Sequence, residues 1–151
     1  MTLYEKILPR LERSPFFQEL ATLPQSPERH QLHHLNQSAR ALAAAHLWAK
    51  TGKNILVISQ DDIIAEDIWD DLCTLIGTAS AHYLPDYEIL PYEERSPHYS
   101  IRAARMMCLH RVIEGKPAVY SLSIRALMRF LPSLENIARH VKTLRPGMEY
   151  P

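Results

Sequence analysis

Residues 54–59 read Asn-Ile-Leu-Val-Ile-Ser, a short run of apolar and β-branched side chains without apolar–polar alternation. Alternation marks a strand with one wet face, so its absence predicts a strand buried on both faces, as in a parallel sheet covered by helices. Parallel strands need crossover connections, usually helices, and the flanking sequence supplies them. Ser38 to Lys50 is an alanine-rich helical stretch with Leu42, Ala45 and Trp48 or Ala49 on one face, closed by Thr51-Gly52-Lys53. Asp61 to about Ile76 repeats Ile64, Ile68, Leu72 and Leu75 at helical spacing, with Asp61 and Asp62 in the first turn, where the helix dipole favours acids.

The same alternation continues. Ser80 to Leu84 predicts a strand, and Pro85 to Pro97 an irregular loop with three prolines. Ser96-Pro97 reads as a cap and first-turn proline opening a helix to Glu114, with Ile101, Ala104, Cys108 and Val112 on one stripe. Gly115 ends it. Pro117 to Leu122 is the next strand, Ser123 to Leu131 a helix stopped by Pro132, Ser133 to Arg139 a further helical turn or two, and Val141 to Leu144 a last strand. Upstream, Ser14-Pro15 opens a helix through Phe16, Phe17 and Leu20, Pro24 to Pro27 breaks the chain, and His30 to Leu35 is a weak strand candidate. The expected class is α/β, a parallel sheet with helices on both faces.

Composition narrows the chemistry. The formal net charge of zero over 151 residues conceals a polarised chain: residues 1–58 carry +3, residues 59–94 carry −10 with no Lys or Arg, and residues 95–145 carry +8. Four glycines fall far short of the usual share of about 7%, which disfavours a glycine-rich phosphate loop. Cys73 and Cys108 fall in helical patterns without a CxxC partner and read as reduced thiols. The first residues do not form a signal peptide, and no apolar run approaches the ~20 residues of a membrane span. These features predict a soluble, cytoplasmic protein with no membrane contact.

Nucleotide binding is the obvious chemistry for such a fold, and two places are candidates. Thr51-Gly52-Lys53 resembles the end of a GxxxxGK[ST] loop, but Leu47 and Asn54 occupy its first-glycine and metal-hydroxyl positions, and it follows a helix where it should follow a strand. The stretch Asn36, Gln37, Ser38, Ala39, Arg40 has the right place, opening a helix after a strand candidate. It contains no glycine or lysine, and side chains there obstruct the close backbone approach a phosphate requires.

Other constellations are weaker. His30, His33 and His34 lack a carboxylate or Cys at metal-ligand spacing, so no metal site is expected. Asp61, Asp62, Glu66, Asp67, Asp70 and Asp71 read as a solvated acidic helix face. No catalytic residue is identified. Tyr83, Tyr87, Tyr92 and Tyr99 surround the proline loop, followed by Arg95, Arg102, Arg105 and Arg111. Of these, Tyr87, Tyr92, Arg95, Arg102 and Arg105 are the candidates for DNA or partner contact, since tyrosines beside arginines can stack bases and hold phosphates. The competing expectation has the tyrosines plugging the loop against the sheet edge and the arginines pairing with the acidic helix.

At these residues the chain resembles a known family. Leu84-Pro85-Asp86-Tyr87-Glu88-Ile89-Leu90-Pro91-Tyr92-Glu93, then Ser96-Pro97-His98 and Arg105, are similar to the "PDWE-x-LPYE…SPH…R" stretch of bacterial transcription-repair coupling factors (Mfd). Ser123-Ile124-Arg125-Ala126-Leu127 to Leu131-Pro132 is similar to the family's "S-x-RALxxxLP". Gln37-Ser38-Ala39-Arg40-Ala41-Leu42 takes the place of its "GLTGSARALL", a relic of the nucleotide loop in the related repair protein UvrB, with the relic glycines replaced around Leu35 and Asn36.

The resemblance implies a degenerate helicase-like (RecA-like) partial domain: a helical segment over 1–29, a UvrB-like domain 1A over 30–132, and the start of a following domain over 133–151. It implies a large protein that recognises RNA polymerase stalled at a DNA lesion, displaces it with an ATP-driven DNA translocase (a hydrolase), and recruits UvrA for nucleotide excision repair. The motor, with its ATP and Mg, the polymerase-binding domain and the part most associated with UvrA contact would lie beyond Pro151, leaving no cofactor for these residues. UvrB's tyrosine-rich damage-probing hairpin has no counterpart in the short connection from Leu84 to Ser96. A docking scaffold follows as the leading expectation, with a stand-alone nucleotide-binding, NTP-hydrolysing or DNA-binding α/β domain as the alternative. Self-association or a rearranged terminus is expected from unpaired strand edges and apolar helix faces.

Overall fold

The computed structural model describes residues 1–25, 28–89, 96–140 and 147. Its elements are α1 (Leu3–Leu11), α2 (Pro15–Thr22) with a 3-10 turn at Leu23–Gln25, α3 (Gln37–Thr51), β1 (Ile55–Ser59), α4 (Asp62–Ile76), β2 (Ala81–Leu84), α5 (Tyr99–Ile113), β3 (Val119–Ser123), α6 (Ile124–Met128) and α7 (Leu134–His140). The strands form a parallel sheet in the order β1-β3-β2, with β3 paired on both sides: Ile55 and Ala81 both face Val119, and Ile58 and Leu84 both face Leu122. This is the expected α/β architecture.

Helix ends are set by local chemistry. Thr2 and Glu5 make a reciprocal capping box on α1, and Asp61 Oδ1 accepts the Ile64 N–H at the start of α4. Gly52 closes α3 at φ 62°, the left-handed region where glycine avoids the Cβ clash. The Thr51-Gly52-Lys53 segment is therefore a helix stop.

Helices cover both faces of the sheet. On one face, Ala41, Ala44 and Ala45 of α3 pack with Ile68, Leu72 and Ile76 of α4, Tyr4 and Leu11 of α1, and Val119. Small residues on α3 let the two helices approach closely. On the other face, Cys108 of α5 packs with Leu84, Tyr120, Leu122 and Ala126. Ser121, fully buried at the centre of β3, donates its hydroxyl to the Ala65 carbonyl at 2.7 Å, so the polar group in the core is satisfied.

His46 ties the N-terminal helices to this core. It is buried on α3, with Nε2 3.2 Å from the Phe17 carbonyl and Nδ1 3.0 Å from the Tyr4 hydroxyl. The carbonyl only accepts, so Nε2 carries the proton and Nδ1 accepts from Tyr4. Burial, then the nearby Lys50 charge, holds its pKa below the ordinary 6.5, and those effects outweigh the opposing pull of the Phe17 carbonyl and Glu12. The unfolded chain therefore binds the proton more readily. Stability is full above pH 6.5 and declines as the pH falls through the lower folded value. Denaturant unfolding followed from pH 7.5 to 5 is expected to show this decline, and His46→Gln, which can keep both hydrogen bonds, to remove its share. His82, held low by burial and then by Arg111, contributes in the same direction.

Several sequence expectations are corrected. His30 to Leu35 is not a strand: the backbone there is irregular, and His34 turns it through φ 61°. β1 is not buried on both faces, because α5 packs over β2 and leaves Leu56 and Ile58 55% and 47% exposed at the sheet edge. α5 begins at Tyr99, capped by the His98 ring accepting from the Ser100 N–H, and Ser96-Pro97 lies before it. Its buried residues are Arg105, Cys108 and Leu109, and those of α4 are Ala65, Ile68, Leu72 and Ile76. Finally, the helix after β3 stops at Met128, well short of Leu131. The strand expected at Val141 to Leu144 lies outside the described residues.

Candidate functional site

The two candidate sites flank the carboxyl ends of the strands, the side where parallel α/β sheets hold ligands. At the start of α3, Asn36 adopts extended backbone and its Oδ1 accepts the Ala39 N–H at 2.8 Å. Arg40 folds back so that its Nε donates to the Leu35 carbonyl at 3.2 Å. Gln37 and Ser38 complete the first turn. The donors that would cradle an anion at a helix N-terminus are thus partly occupied by the chain itself. His34, immediately upstream, holds left-handed backbone that favours glycine.

The second site surrounds Asp86. The residue leaves the end of β2, is 1% exposed, and meets two arginines from the segment after β3. Arg129 Nε donates to Oδ1 at 2.9 Å, and its Nη2 donates to the Ile89 carbonyl at 2.7 Å. Arg125 Nη2 lies 3.3 Å from Oδ2. Burial alone would raise the Asp86 pKa. The Arg129 hydrogen bond, the Tyr87 N–H and the two guanidinium charges outweigh it and hold the carboxyl below its ordinary range. The arrangement clasps the loop after β2 to the helix after β3, joining the two motifs that carry the family resemblance.

Arg105 builds the floor of the same clasp. Only 1% exposed, it donates through Nη1 to the Pro85 carbonyl, and its guanidinium lies 4.2 Å from the centre of the Tyr87 ring. Among the described residues its Nε and Nη2 have no hydrogen-bond partner. Cys108, one turn further along α5, is a free thiol whose pKa burial pushes up to about 11, which makes it inert at neutral pH. Cys73 is also free.

The candidate contact residues therefore separate. Arg105 and Tyr87 face each other inside the loop, Arg102 is exposed on α5, and Tyr92 and Arg95 lie outside the described residues. Tyr83 stacks on Trp69 and Tyr99 is exposed. Among the described residues no arginine pairs with the acidic helix: Arg111 pairs with Glu114 at 2.8 Å, and Arg125 and Arg129 with Asp86. Glu66, Asp67 and Asp70 remain exposed on α4 without an ion pair among the described residues, and of the described acids in residues 59–94 only Asp86 is paired with an arginine. No group of three or more His, Cys, Asp or Glu among the described residues is placed to hold a metal ion, and no described helix is long and apolar enough to cross a membrane.

Asp86, Arg125 and Arg129 were not singled out as site residues by sequence reasoning, although Asp86 and Arg125 stand inside the two quoted motifs. An acid and a base spaced by about 40 residues carry no local periodicity, so only the topology brings them together.

Comparison with known proteins points the same way as the motifs. The chain is 25% identical over 136 residues to the transcription-repair-coupling factor of Haemophilus influenzae, covering 89% of this chain. It is 28% identical over 101 residues to that of Bacillus subtilis and 24% identical over 113 residues to one from Staphylococcus aureus, covering 67% and 75% of the chain. The chain is a homologue of a fragment of transcription-repair coupling factors. It spans 12%, 9% and 10% of the lengths of these relatives. No family model matches it.

Proposed function

We propose that this chain is a UvrB-like docking region of a transcription-repair coupling factor and performs no catalysis itself. In this reading residues 30–132 form the degenerate domain 1A, residues 1–29 a helical segment packed on it, and residues 133–151 the start of the next domain. The names of the relatives link the chain to coupling between transcription and DNA repair. RNA polymerase, DNA, ATP and Mg are then matters for the remainder of such a protein, and UvrA is the partner this region helps to recruit.

The observation that carries the non-catalytic reading is the start of α3. Asn36 uses its own side chain to bond the Ala39 N–H, and no glycine opens the backbone there, where a nucleotide-binding domain exposes several N–H groups to a phosphate. Calorimetry with ATP and Mg²⁺ is expected to register no binding up to roughly millimolar nucleotide, and micromolar affinity would overturn the reading. A chain extended past Pro151 is expected to capture purified UvrA and to capture it less well once residues 1–151 are removed. Retention of short DNA duplexes at low salt, lost on Arg102→Ala, would instead favour a DNA-binding domain.

A further inference from the structure

We propose that β1 pairs edge to edge with β1 of a second copy of this chain, antiparallel, about a two-fold axis midway between the two copies of Val57. Three observations carry it. First, β1 bonds β3 on one side only, and among the described residues no strand pairs with its other edge. Residues 30–35, which lie alongside, form no ladder with it and leave a groove of about 740 Å³ along Ile55 to Ile58. Second, the edge lacks the usual protection. Ile55 to Ser59 contains no charge and no proline, and Leu56 and Ile58 project half-exposed from the face that α5 leaves bare.

Third, the register selects the occupant. A two-fold axis perpendicular to the sheet keeps like faces together, so it must run between the strands, midway between two copies of one residue. Centred on Val57, it sets Leu56 opposite Ile58 of the second copy twice over, covering all four exposed apolar side chains. The same register sets Lys53 opposite Asp61 at both ends. Lys53 is exposed, and neither group has an ion pair within its own chain among the described residues. Centring on Leu56 or Ile58 loses both matches, leaving Asn54 or Gln60 against an apolar side chain. A second copy therefore meets its own complement, and the result is a continuous six-stranded sheet, β2-β3-β1 followed by its inverse.

The paired surface is small, so the dimer is weak, with a Kd on the order of 100 µM. Sedimentation velocity over rising concentration is expected to show a monomer–dimer equilibrium. Leu56→Lys and Lys53→Asp, both at exposed positions, should each weaken it about tenfold with unchanged circular dichroism. In a Cys73→Ala background, Leu56→Cys mixed with Ile58→Cys should form the mixed disulfide faster than either protein alone. A monomer at about 1 mM, or a dimer indifferent to Leu56→Lys, would overturn the proposal. So would a disulfide that forms as readily between two Leu56→Cys chains. None of these readouts depends on UvrA or nucleotide, so they fail or succeed independently of the docking role.

Discussion

Asp86→Ala is expected to lower stability by about 3 kcal/mol in urea unfolding, the usual cost of removing one member of a buried ion pair. The substitution leaves Arg129 with the Ile89 carbonyl as its remaining partner and frees the loop after β2 from the segment after β3. The members of the clasp should not be equal. Arg129, largely buried, contributes the short contact to Oδ1, and Arg129→Met should cost about 2 kcal/mol by leaving a buried carboxylate under-compensated. Arg125 is 57% exposed, so Arg125→Ala should cost less than about 1 kcal/mol. Because the folded pKa of Asp86 is depressed, its contribution is present above the ordinary value of 3.8 and lost as the pH falls through the folded value. In Arg129→Met that acid transition should move to higher pH. Equal losses at Asp86 and Arg125 would show that the clasp is a surface ion pair with no buried character.

Leu72→Ala is expected to cost about 3 to 4 kcal/mol, measured by the same unfolding curves and, at a few degrees per kcal/mol, visible as a drop of roughly 10 °C in Tm. Leu72 is fully buried where α4 meets the alanines of α3 and Val119 of the central strand. Those alanines have no rotamers with which to fill a vacated space, so the cavity cannot collapse cheaply. Ile63, three-quarters exposed on the opposite side of the same helix, is the control: Ile63→Ala should change stability by no more than about 0.5 kcal/mol.

The parallel sheet and its helices were legible because they rest on short-range signals: apolar runs at 55–59, 81–84 and 119–123, and helical periodicity between them. The helix start at Asn36 to Arg40, with no glycine in it, was legible for the same reason. What escaped depends on long-range placement. The pattern Ile-Leu-Val-Ile cannot distinguish a central strand from an edge strand, since what decides it is where α5 lands. Arg105 read as a surface base because arginine usually is one, and its burial follows from the Tyr87 ring and the Pro85 carbonyl folding over it. The stripe on α5 was misassigned for the same reason, as the polar Arg105 occupies a place that periodicity reserves for an apolar residue.

The position of β3 governs how the chain is made. β1 and β2 are both synthesised before it, yet each finds its partner only there, and the Asn54 side chain that anchors the start of β1 waits for an N–H 64 residues downstream. A nascent chain that has emerged as far as α5 can assemble the α3–α4 layer but holds two apolar strands without a ladder. Such sequence-distant pairing is slow and leaves intermediates prone to aggregate. Chains that contain β1 and β2 but end before residue 119 leave both strands without their ladder partner and should be recovered from the insoluble fraction.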